Sequence, residues 1–359
     1  VGREVDGLVA GFSAHADFPV LRIGEEEKPP MSVWRSFLFG LGRVLKTPSL
    51  LCWVYLASLA VALPLAMVVR GGIAAHVGGS LVEQNLRTGL DLDWYGEFAE
   101  EASGVAATFG PEVIGHMALV QNLERLLDGK LLAAHRTLLA AGGLYLLFWT
   151  FLVGGILDRF AHPGEPHSRA RLFGHSGEFF WRMFRLLILS VLFYLAIFRF
   201  VANPLHEFVE QATRDVTVER TVLLWTALVY LLTGLLLAGV SMAFDYAKIA
   251  VVVERRRSAV LALLRGLGFI ARHPGHTCGL YLLLLTAAAV VMFFYGAIAP
   301  GSGQSNWATV LVAFVIGQAY VLARILVKLW FLASQAILFQ AAANHPDRTA
   351  PAAASAPLP

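Results

Sequence analysis

Six stretches of the chain are apolar on every side and almost free of charge: residues 49–69, 137–157, 184–201, 222–244, 276–298 and 307–327. Each holds about 18–23 residues, enough α-helix to cross a hydrocarbon core of roughly 30 Å. The runs are continuous and rich in Leu and Ala, without the alternating polarity over about ten residues that marks a barrel strand. The pattern predicts an all-α membrane protein, a six-transmembrane helical bundle.

A second periodicity precedes some of these runs. In MSVWRSFLFGLGRVLKT, residues Trp34, Phe37, Leu38, Leu41, Val44 and Leu45 recur at helical spacing, with Arg35, Arg43 and Lys46 toward the other side. That is the pattern of a helix lying in the membrane interface. RRRSAVLALLRGLGFIARH, before the fifth run, repeats it with Val260, Leu263, Leu264, Leu267 and Ile270 against Arg257, Arg265 and Arg272. A less regular version, RARLFGHSGEFFWRMFR, precedes the third run.

The first and fifth units also share their letters. GLGRVLKTPSLLCWVYL at 40–56 returns 226 residues later as GLGFIARHPGHTCGLYL at 266–282, and nine of 24 positions are identical between 36–59 and 262–285. Gly40, Gly42, Pro48 and Tyr55 correspond to Gly266, Gly268, Pro274 and Tyr281. Proline lacks the amide proton that would continue the surface helix, and it fits the first turn of the helix that enters the bilayer. YLLFWTFLVG at 145–154 and YLLTGLLLAG at 230–239 match at their ends in the returning helices. The expected plan is three parallel units, each a basic interfacial helix followed by a transmembrane hairpin, as in transporter folds built from parallel repeats. The alternative is convergence of Leu-rich helices on one pattern.

Composition agrees with the membrane reading: 57% of the 359 residues are hydrophobic, 15% are charged, and the mean hydropathy is +0.65. Soluble domains have roughly 45–50% apolar residues. The net charge of +3 matters less than its distribution. Basic residues crowd the segments before run one, between runs two and three, and between runs four and five, where Arg255, Arg256 and Arg257 are consecutive. The positive-inside rule then puts both termini in the cytoplasm of a bacterial inner membrane. Each Lys or Arg of a surface helix adds about 1 kcal/mol of attraction to an anionic inner leaflet, the partner these segments predict. Nothing in the pattern points to nucleic acid.

The remaining segments are read by composition. Val1 and the polar stretch through GEEEKPP predict an extension over 1–30 that precedes the true start at Met31, with the membrane domain over 31–342. The tail at 343–359, RTAPAAASAPLP at its end, cannot bury a core and is expected to be disordered. The longest loop, 70–136, carries five basic and nine acidic residues. Within it FGPEVIGHMALVQNLERLLDG starts with Pro111 at a first helical position and aligns Val113, Met117, Val120 and Leu127. This predicts an external acidic helical cap, a possible contact for a protein partner or a cover for the bundle's mouth.

Candidate chemistry is sparse. No phosphate loop, nucleophile elbow or zinc-protease pair is present, His162, His167 and His175 do not have compact zinc spacing, and no cofactor or metal is implied. Near the inner ends of the runs stand Asp158, Asp245, Lys248, Arg324 and Lys328. Counted from the outer ends they fall at the cytoplasmic boundary. There they either snorkel, anchoring the helices, or form an ion-paired collar in which Arg324 or Lys328 meets Asp158 or Asp245 and holds a lipid phosphate or gates a path. Arg199 falls in the outer part of the third run, as an interfacial anchor or a buried charge in need of an acid. Cys52 and Cys278 occupy equivalent places and are expected as small, packed, free thiols.

GLGRVLKTPSLLCWVYL and DYAKIAVVVERRRSAVLALLRGLGFIARHP together make the chain look like families of bacterial multi-pass proteins of unassigned role, including the membrane domain attached to some glycerophosphodiester phosphodiesterases. The resemblance implies an inner-membrane domain. The phosphodiesterase domain is absent from this sequence, and its activity does not carry over. Three functions stay open at this point: a non-enzymatic module that assembles with protein or lipid partners, which the lack of a reactive constellation favours; a transporter or lipid-handling protein using the collar; and an enzyme acting on lipid head groups.

Overall fold

A computed structural model describes residues 31–78, 89–110, 117–129, 135–165, 168–301, 303 and 306–343. The extension at 1–30 lies outside them, as does the tail from 344 onward. Ala343, expected as the first tail residue, instead closes the last helix.

Proline starts helices as the sequence predicts, and serine caps others. Ser32 caps α1 (Val33–Leu45) by accepting the Arg35 amide, and Pro48 occupies the first turn of α2 (Pro48–Val77). In the cap, Asp91 accepts two amides at the start of α3 (Leu92–Glu101); a 3₁₀ turn (Ala106–Thr108) and α4 (Met117–Leu127) follow. Next come α5 (Arg136–Ala161) and α6 (Arg169–Ile197), the latter capped by Ser168. A π-helical turn (Phe198–Ala202) joins α6 to α7 (Asn203–Thr213). The turn lies just before Pro204, whose missing amide leaves a carbonyl of the preceding turn without its donor and lets the helix widen. The chain ends with α8 (Glu219–Val253), α9 (Ala259–Arg272, capped by Ser258), α10 (Pro274–Ile298) and α11 (Trp307–Ala343).

Among the described residues there are helices and no strands, and six helical runs are long and apolar enough to cross a membrane: α2, α5, α6 through α7, α8, α10 and α11. The protein is an all-α, six-span multi-pass membrane protein. One predicted element differs. The basic segment before span three is not a separate surface helix but continues into α6 without a break, because 169–197 holds no proline to end it.

At the end of the bundle rich in arginine, α5, α8 and α11 form a tightly packed centre over 150–161, 242–252 and 325–339, wrapped by α1, α9 and the first half of α6. The wrapping helices present small residues inward. On α1 these are Ser36 and Gly40, and on α9 Ala262 and Gly266. A methyl at Gly40 would stand 1.9 Å from Ser334 Oγ and 2.9 Å from its Cα; one at Gly266 would meet the backbone of α8 at 2.9 Å. Such close approach is how helices associate where lipid is as apolar as leucine.

The apolar set predicted for one face of α1 therefore divides. Phe37 and Val44 turn inward, while Trp34, Leu38 and Leu45 are exposed on the far side; on α9, Leu263 turns in and Val260, Leu264 and Leu267 face out. Outward apolar surface continues up the spans at Leu231 and Leu235, Phe293 and Phe294, Leu311 and Phe314. These are lipid-facing positions. Cys52 and Cys278 are free but exposed among them, not packed.

Polar contacts lock this end. Trp330 Nε1 donates to Phe37 O at 2.7 Å. Arg43 donates to Phe160 O and Gln340 Nε2 to Ala161 O, at 3.0 Å for the latter, satisfying carbonyls that the end of α5 leaves without helical partners. Burial, and then the nearby Arg159 guanidinium, hold the Arg43 pKa below its usual value. Glu254 accepts from Arg265 at 2.8 Å and from Arg256. Burial pushes its carboxyl up, but these two arginines outweigh it and leave the pKa depressed.

At the opposite end the helical cap docks in two places. Trp94, Phe98 and Ala106 bury against Ile73 and Val77, where α2 runs beyond its predicted end. The Tyr230 hydroxyl donates to Asp128 at 2.8 Å, and Gly129, at φ +69°, packs against Phe198. Pro111 and Val113 of the predicted cap helix lie outside the described residues.

Candidate functional site

Four of the five charges predicted for a collar come together, but not as predicted. Lys248 and Asp245 lie one turn apart on α8 and pair at 2.9 Å, and Arg324 and Lys328 lie one turn apart on α11. All four line a cavity of about 420 Å³ with Trp149, Ser241 and Tyr281. The apolar wall is Ala288, Val291 and Met292 of α10 with Val327, Phe331 and Leu332 of α11. Asp245 takes its neighbouring lysine rather than the cations of α11. Those find aromatic faces instead: Lys328 Nζ sits 3.4 Å from the Trp149 ring centre and 5.3 Å from that of Tyr145, and the Arg324 guanidinium 5.6 Å from that of Tyr320.

Two contacts set the place of the cavity along the helices. Lys328 touches Trp149, and Gln340 bonds Ala161; the two helices therefore run in parallel with matched steps of twelve residues (149 to 161, 328 to 340). Twelve residues rise about 18 Å, which puts Lys328 near the middle of span two rather than at its end. The charge that terminates the apolar run at 327 is thus interior to its helix, which continues to Ala343. Three cations against one acid leave a formal excess of +2 among the described lining residues (3 − 1). Cation–π contacts offset part of that without neutralising it.

Asp158 stands apart. Nearly fully buried at the end of α5, it meets groups of the second basic segment: His162 Nδ1 at 3.2 Å, Arg171 Nη2 at 3.5 Å and His175 Nε2 at 3.7 Å. Arg171 also pairs with Glu165, and His175 Nδ1 with Glu178 at 3.2 Å. Asp158 and His162 show the one-turn spacing of a helical pair in the sequence. Nothing in the sequence announces that α6 brings two more partners to it, nor that Trp149 and Tyr145 cover Lys328.

Arg199, a candidate buried charge, is exposed in the π-helical turn. Of the repeat-defining residues, Gly40 and Gly266 make the close helix contacts, while Gly42 and Gly268 face open space. Pro48 and Pro274 begin α2 and α10. The Tyr55 hydroxyl donates to Gln318 Oε1 at 2.8 Å, and Tyr281 lines the charged cavity edge-on to Phe331. No family model, no curated protein and no solved structure matches the chain.

Proposed function

We propose that the protein handles an anionic amphiphile, holding a phosphate or carboxylate head among Lys248, Arg324 and Lys328 while the apolar wall of α10 and α11 receives its chain. The observation that carries this reading is the gathering of three cations against one acid in one cavity among the spans. Intramembrane cations persist where they have something to bind, because otherwise their burial only destabilises the fold. A charged cavity with an apolar wall suits a lipid-handling protein or transporter better than a scaffold. The arginine-rich end faces an anionic leaflet in this reading, which corresponds to the cytoplasmic side of a bacterial inner membrane with both termini inside. The matching work of Gly40 and Gly266 supports origin by duplication.

The test is native mass spectrometry of the full chain with analysis of retained lipid. Wild-type protein is expected to carry a phosphate- or carboxylate-bearing amphiphile, and Lys328→Met with Arg324→Gln to retain at least about tenfold less, the effect of losing one charge-assisted bond or more. Equal retention overturns the proposal. The second reading, a module that assembles with a protein partner through its acidic cap, rests on the docked α3, which turns Glu97, Glu100 and Glu101 outward. It is favoured if a stoichiometric protein partner co-purifies and is lost when these three are changed to glutamine.

A further inference from the structure

We propose a second, separate site: the cavity of about 460 Å³ between the start of α2, the end of α5 and the start of α6 binds the phosphodiester head of an anionic phospholipid. Its polar wall carries Arg159, Arg169 and Arg171 with His162 and the buried Asp158, and its apolar wall Trp53, Leu56 and Leu172. Arg171 is committed to Asp158 and Glu165. Neither Arg159 nor Arg169 forms an ion pair among the described residues; Arg159 Nη1 donates to Glu165 O at 3.4 Å, and the other donors of the two guanidinium groups remain for a ligand. Planar guanidinium forks match phosphate oxygens, and the first amides of the 29-residue α6 add partial positive charge at the same place.

The shape favours a lipid over a free ion. Ser49, Cys52, Trp53 and Leu56 recur along one face of α2 at helical spacing, leading from the arginines into the span. An acyl chain fits along that face when the head sits on the arginines. The cavity exists because α5 and α6 are pressed together beneath it: a methyl at Gly155 would stand 2.4 Å from Leu172 O, which holds the two helices and their arginines in register. In the equivalent stretch at the start of α10, Gly275 and Gly279 stand where α2 has Ser49 and Trp53. The second copy therefore lacks the indole that walls the site, and Cys278, the counterpart of Cys52, is exposed outside this cavity.

The two cysteines make the test internal. The full chain is placed in nanodiscs of phosphatidylcholine, alone or with phosphatidylglycerol, and maleimide labelling of Cys52 is measured against Cys278 by peptide mass spectrometry. Phosphatidylglycerol is expected to slow Cys52 several-fold and leave Cys278 unchanged. Arg159→Gln with Arg169→Gln is expected to remove that protection, its unchanged Cys278 rate showing that the fold is kept. Inorganic phosphate in phosphatidylcholine discs is expected to protect little. Equal protection by phosphate alone overturns the lipid assignment. Protection of both cysteines alike, or protection that survives the double substitution, overturns the site. None of these outcomes bears on the cavity around Lys328, which shares no lining residue with this one.

Discussion

Gly40→Ala and Gly42→Ala are predicted to move stability in opposite directions although they lie two residues apart on one helix. Alanine in place of glycine adds about 0.5–1 kcal/mol of helix preference at either position. At Gly42 a Cβ meets nothing within 4 Å, so this gain stands alone. At Gly40 the Cβ would lie 2.9 Å from the Cα of Ser334, a backbone atom that no rotamer change removes. α1 must back away by about 0.5–1 Å to restore a normal contact. Overpacking of this kind costs about 1–3 kcal/mol, and the movement stretches the bond from Trp330 to Phe37 O, worth about 1 kcal/mol. The propensity terms cancel in the difference, so the two variants should stand about 1–4 kcal/mol apart, with Gly42→Ala the more stable. On a scale of ~2–4 °C per kcal/mol the gap is several degrees in thermal unfolding, followed by tryptophan fluorescence in one detergent. The corresponding pair, Gly266→Ala and Gly268→Ala, should split in the same sense, because the first meets α8 backbone and the second open space. Coincident midpoints for the two α1 variants would show that α1 is not seated on α11 at Ser334.

Lys328→Met should lower ligand retention, by less than the double substitution does, yet raise the melting temperature of ligand-free protein, since an intramembrane lysine costs about 2.5–3.5 kcal/mol and its aromatic contacts return about 1–2; a lower melting temperature would count against this reading of the charge. Asp158→Asn should destabilise by about 1–3 kcal/mol, because it removes the buried charge that His162, Arg171 and His175 share, while Arg171 keeps Glu165. A loss within 1 kcal/mol, roughly that of a surface pair, would mean Asp158 is solvated. Glu254 has a depressed pKa, so its stabilisation is full above the ordinary value of 4.5 and is lost as pH falls through the lower, folded value. Glu254→Gln should therefore flatten the acid limb of a melting-temperature profile below about pH 4.5 and leave its shape at neutral pH unchanged; an identical acid limb would refute the pairing.

The spans were legible because each apolar run is long enough on its own to cross a bilayer, and the starts of α2 and α10 were legible because Pro48 and Pro274 begin helices through local chemistry. Helix length was less legible. Arg324 and Lys328 look like the end of a run when the count stops at the first charge, but 329–343 is free of charge and continues the same helix. Facing was not legible at all within the spans. A helix that is apolar all round carries no periodic mark of which side meets lipid, so the separation of Asp158 from Asp245, and the covering of Lys328 by Trp149, emerge only from packing. On α1 the sequence pattern pointed to large apolar residues as the buried face. The small ones, Ser36 and Gly40, set it instead, because close backbone approach governs helix contacts in lipid.

A cryo-electron microscopy map of the protein extracted with its own lipids, without delipidating detergent, tests the central claim most directly. The account predicts elongated density in the cavity between α10 and α11, with a compact head within hydrogen-bonding distance of Lys248, Arg324 and Lys328 and a tail along Val291 and Met292. A well-resolved cavity holding only water, or closed by Lys328 folding onto Asp245, would contradict it.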